Sequence, residues 1–146
     1  MPFWEILLWI VFAIVMTGIT VFGIGAVVYM RRENRLYSAE QKLWQSLKLT
    51  GQPAEGVIRS FRMHSGNLTR GGSHGQTVCA MVLDIDYADT AGASHTVSIH
   101  AYIEEALVAV FQEPLKTVHL LYDPQNTTSI AVNRERTPLE IPRVSR

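Results

Sequence analysis

The chain has a single cysteine, Cys79, in 146 residues, which excludes an internal disulfide and any zinc site that needs several thiolates. It also lacks net charge: thirteen basic and thirteen acidic side chains cancel, so no global field draws in nucleic acid or acidic substrates. Neither the H-E-x-x-H zinc pattern nor a P-loop occurs. A non-enzymatic protein with no cofactor and no metal is the expectation.

The stretch poorest in polar groups says the most. From Ile6 to Met30 the chain has no charged residue, no Pro, no Asn and no Gln. At about 1.5 Å per helical residue this run is ~37 Å long, enough to cross a ~30 Å hydrocarbon core with some tilt. A segment in lipid must satisfy its own backbone hydrogen bonds, so a helix is expected. A cleaved signal peptide has a basic lead, a shorter apolar core and a small-residue cleavage site. Here the lead carries only Glu5, and Arg31-Arg32 follows the apolar run. Residues 1–30 therefore read as a retained anchor. Arg31, Arg32 and Arg35 crowd its C-terminal flank, so the positive-inside rule puts the N-terminus outside and the domain in the cytoplasm. Trp4, Trp9 and Tyr29 sit near the ends, where interfacial aromatics belong. Ala13-x-x-x-Thr17 is a weak small-residue match for a helix–helix contact, which keeps a homo-oligomer open.

Residues 31–51 read as a basic collar followed by an amphipathic stalk. Ser38 and Gln41 have the spacing of a capping box at a helix start. Leu36, Tyr37, Ala39, Leu43, Trp44 and Leu47 share one broad face, on which Glu40 intrudes. Gly51 and Pro53 suit the helix end. Three roles are open for the stripe: packing on the following domain, lying in the membrane interface, or pairing with another chain.

Residues 52–133 switch to alternation. A first strand, Val57 to Met63, puts Val57, Phe61 and Met63 on one face, with Arg59 interrupting it, so the strand lies at an edge or bends. A glycine-rich loop, His64 to Gly75, is expected to be mobile. In the second strand Cys79, Met81, Leu83, Ile85 and Tyr87 alternate with Ala80, Val82, Asp84 and Asp86. A third strand runs from His95 to Ala101, with Val97 and Ile99 inward. Tyr102 to Gln112 has helical spacing. Strands follow at Thr117–Tyr122 and Ser129–Val132, and residues 134–146 read as a flexible tail. The fold expected is mainly β behind an N-terminal transmembrane helix: a small, five-stranded, partly open OB-like barrel of order β-β-β-α-β-β.

Leu121-Tyr122-Asp123-Pro124-Gln125-Asn126, with Gly56-Val57 and the alternation through Val82–Tyr87, is similar to a widespread bacterial family of small membrane-tethered domains of unknown function. The resemblance covers about residues 54–132 and centres on a Tyr-Asp-Pro box. This chain has Lys116 and Thr127 where members often carry Gly and Pro. The resemblance implies a bacterial membrane setting and no activity, and the location expected for the chain is the inner membrane. The box also has a physical reading as a structural turn: Tyr122 in the core, Asp123 accepting a local amide, and Pro124 presetting φ.

Histidines do not add up to a site. His95 and His100 are five apart and point to opposite faces of a strand. Asp84 and Asp86 share a face, most simply a solvated one. Cys79 on an apolar face is no nucleophile. The expectation is a single-pass, non-catalytic module binding another membrane or envelope protein, with contacts at Arg70, Gly71 and Gly72 and at Leu43, Trp44 and Leu47. The alternative is a ligand-binding or sensor module that uses Asp84, Asp86 and nearby histidines.

Overall fold

The computed structural model describes residues 2–64 and 69–143, so part of the expected glycine loop, residues 65–68, lies outside the described residues. The chain forms two compact units, Met1–Arg35 and Leu36–Arg146, and the division falls inside helix α1, Phe3–Thr50. Ser38 lies within α1 rather than at its start, so no capping box forms there.

In the first unit the best 18-residue window has a mean hydropathy of 2.5 and none of it is buried. This helix is long and apolar enough to cross a membrane. Its large side chains are exposed on every side, Trp9, Phe12, Val15, Ile19 and Phe22 among them. The two threonine hydroxyls donate inside the helix, Thr17 to the Ala13 carbonyl (2.7 Å) and Thr20 to that of Met16 (2.8 Å). Both can therefore sit in an apolar surrounding without an orphaned donor.

The second unit is a curled antiparallel sheet, a half-barrel. Its strands are β1 (Gln52–Met63), β2 (Thr69–Gly71), β3 (Thr77–Ala88), β4 (Ser94–Glu104), β5 (Thr117–Asp123) and β6 (Asn126–Val132). The long strands run in the order β4-β3-β1-β5-β6. β2 continues the β1 edge of β3, pairing Thr69 with Cys79 where β1 leaves off at Met63 opposite Met81. Part of the expected mobile loop is thus a strand, because β3 extends past the end of β1 and offers it a partner. The inner face is filled by Met81, Leu83, Ile85, Ile103, Val118, Leu120 and Tyr122.

Four expectations change. β1 is central between β3 and β5 rather than an edge, and it bends at a bulge between Ile58 and Ser60. The extra residue, Arg59, reverses the alternation, so Ile58 is 6% exposed while Val57 is 37% exposed. The expected helix from Tyr102 shrinks to a 3-10 turn (Glu105–Leu107) and α2 (Val108–Phe111). Tyr102, Ile103 and Glu104 instead pair with Ala80, Cys79 and Val78, a ladder that overrides local helical spacing. The outer face of β3 is not simply solvated: Ala80 and Val82 are buried. Their β4 partners are Tyr102 and His100, against which the Tyr37 ring packs. Finally, the segment after Asn133 docks. Leu139 is 2% exposed in the core, and its carbonyl accepts from Glu104 N–H at 2.8 Å. Thr137 Oγ1 accepts from His119 N–H (2.9 Å), and Glu104 Oε2 from Ile141 N–H (2.7 Å).

Candidate functional site

β2 holds Arg70 opposite Val78, and the Arg70 guanidinium lies 3.9 Å from the centroid of the Tyr102 ring. Tyr37 packs on the same ring at 4.5 Å, giving a cation–π stack of Arg70, Tyr102 and Tyr37. Gly71 and Gly72 continue from it into a polar pocket of about 80 Å³ whose lining includes Gln41, Arg134 and Glu140. Gln76 is the pivot of this corner. Its Oε1 accepts from His74 N–H (2.8 Å), and its Nε2 donates to Glu140 Oε2 (2.9 Å). A Cβ on Gly72 would fall 2.7 Å from that amide, so only glycine fits without displacing Gln76. Gly75, at φ +79°, makes the turn into β3.

Residues 71–75 also spell G-x-S-x-G, a match to the nucleophile-elbow pattern that the expectation of no chemistry overlooks. An elbow needs a strand turning into a helix. Here the run joins strand β2 to strand β3, and Ser73 sits exposed in a turn. The pattern lacks its working context.

The stalk residues are mostly taken up by this chain itself. Leu47 is buried with Leu121 and Ala131, and Leu43 and Trp44 pack against that cluster. The Lys48 ammonium reaches Glu135 at 2.8 Å and lies 5.9 Å from the Trp44 ring centroid. Glu40, the intruder on the apolar stripe, is buried and accepts from Arg134. Burial pushes its carboxyl above the usual range, and the Arg134 charge and hydrogen bond pull against that rise.

Several other titratable groups are held in contacts within the half-barrel. Asp84 accepts from Ser60 (2.6 Å) and from Ser98, and these bonds hold its carboxyl below the usual range. Asp86 accepts from Thr96 (2.6 Å). Asp89 meets His95 at 2.9 Å and accepts from Ala91 and Ala93, with its carboxyl lowered mainly by the His95 bond. Tyr122 is buried, and its hydroxyl bonds Thr90, accepting from the amide and donating to Oγ1. Asp123 Oδ1 accepts from Gln125 N–H at 2.9 Å, closing the turn that contains Pro124. Cys79 is buried, and burial pushes its thiol up. Among the described residues no three His, Cys, Asp or Glu side chains are grouped to hold a metal.

Sequence reasoning missed Tyr102, Gln76, Arg134 and Glu140 as members of the Arg70 corner. Arg134 had one signal: a carboxylate on an apolar stripe, Glu40, needs a buried partner. No protein-family model matches the chain, and no match was found among curated proteins or solved structures.

Proposed function

We propose that this chain is a single-pass protein of a bacterial inner membrane, N-terminus outside, presenting a non-catalytic β-module in the cytoplasm that binds another membrane or envelope protein. The observation that carries the reading is the apolar helix with none of its best window buried, followed by Arg31, Arg32 and Arg35. A helix that is apolar on every side needs an apolar surrounding, and a bilayer supplies one. The five long strands, with a short helix between the third and fourth, fit an OB-like, partly open barrel. Arg70 and Gly71 are exposed and Gly72 half-buried, on a corner made rigid by Tyr102, Tyr37 and Gln76. A pre-ordered arginine and aromatic pair is the kind of group that anchors protein interfaces.

Two measurements test this. Alkaline carbonate should leave the full chain in the membrane pellet, while a version lacking residues 1–30 is released. Release of the full chain would refute the anchor. A photo-crosslinking side chain at position 70 should then give a discrete adduct in cells, absent when the same group is placed at Gln125. Identical patterns from both positions would remove the Arg70 corner from the proposal.

A further inference from the structure

A second concavity is of a different character. About 280 Å³ of space opens between the 3-10 turn with α2, the start of β5 and the 136–138 segment. Leu107, Val110 and Phe111 give it an apolar floor, and Lys116, His119 and Arg136 stand around it. No carboxylate lines it. The acidic neighbours of its rim, Glu113 (3.6 Å from Lys116) and Glu55 (3.5 Å from His119), have side chains 62% and 65% exposed. Pairs so wet and so long are weak competitors for an incoming anion. Two other cavities mix charges: the groove along the β1 bulge has Arg59 with Asp86 and Glu113, and the Arg70 corner has Arg70 and Arg134 with Glu140.

A lysine, an arginine and an imidazole over an apolar floor are complementary to one ligand chemistry, an anionic head on a short aliphatic stem. The volume is near the lower end of the roughly 300–1,000 Å³ typical of small-molecule sites, which limits the stem to a short one. We infer that this cavity binds a short aliphatic monocarboxylate, with Lys116 and Arg136 holding the carboxylate and Leu107, Val110 and Phe111 receiving the chain. The inference is independent of the membrane reading and of the Arg70 corner.

The test uses the full chain in lipid nanodiscs with labelled Leu and Val methyl groups, titrated with sodium hexanoate. Leu107 and Val110 methyl signals should shift saturably. Hexanol and hexylammonium should bind at least about tenfold more weakly, since neither supplies the anion. Lys116→Gln and Arg136→Gln should each weaken hexanoate several-fold without changing the response to hexanol, and unmoved methyl signals elsewhere would confirm that both variants fold. Equal binding of all three compounds, no saturable shift, or variants that bind hexanoate as well as the parent would overturn the inference. Tighter binding by a peptide ending in leucine than by hexanoate would overturn the choice of occupant.

Discussion

At the scale of single residues, close approach and burial decide what can be changed. A Cβ on Gly56 would sit 2.4 Å from Ile85 Cγ2 and 2.8 Å from Leu120 Cδ1, inside the core. Gly56→Ala should therefore cost about 1–3 kcal/mol in urea denaturation, the usual range for overpacking. The same change at Gly71, where a Cβ meets nothing within 4 Å, should cost little. Asp84 gives a pH signature. Its folded carboxyl titrates below the ordinary value because Ser60 and Ser98 donate to the charged form. The stability it contributes is thus fully present above the unfolded value, about 3.9, and is lost as pH falls through the folded one. Asp84→Asn should lower the melting temperature at pH 7, and the gap to the parent should close as the solution is acidified. A gap that is constant with pH would contradict the assignment. Glu40 runs the other way, since its carboxyl is raised: lowering the pH through its folded value protonates it in the folded state first and favours folding. Removing its partner with Arg134→Ala leaves the buried carboxylate uncompensated and should cost up to about 3–5 kcal/mol near neutral pH.

At the scale of elements, the bulge in β1 and the docked C-terminal segment carry the surprises. Alternation read from Val57 puts Val57 inward, whereas the bulge at Arg59 turns Ile58 inward. Ile58→Ala should then cost about 2–5 kcal/mol and Val57→Ala no more than about 0.5, as measured by chemical denaturation. The reverse order would mean that the strand is in the other register. β3 was legible because its inward row is unbroken from Cys79 to Tyr87. Arg59 signalled a bend without saying which neighbours it would invert. The ladder that extends β4 to Glu104, and the seat of Leu139, are long-range pairings that no local period encodes. Leu139→Ala should destabilise the half-barrel by about 2–5 kcal/mol, an effect a loose tail would not show. The Arg70 corner was half legible. Its glycines and arginine stand out in the sequence, but Tyr37 reads as part of the stalk's face and Tyr102 as the start of a helix, and they meet only through the fold.

At the scale of the whole molecule, one long apolar helix is joined in sequence to a small half-barrel, and Arg31, Arg32 and Arg35 follow the apolar run. The helix was legible because an unbroken apolar run of this length is a local feature of the sequence. On the proposed membrane reading, the side on which the β-module stands governs its partners and the redox setting of Cys79. The most direct measurement places two reporters in turn at the C-terminus, one active only in the cytoplasm and one only outside. The account predicts activity from the cytoplasmic reporter alone. Activity from the outside reporter would contradict the arginine argument and make the module an envelope-facing domain.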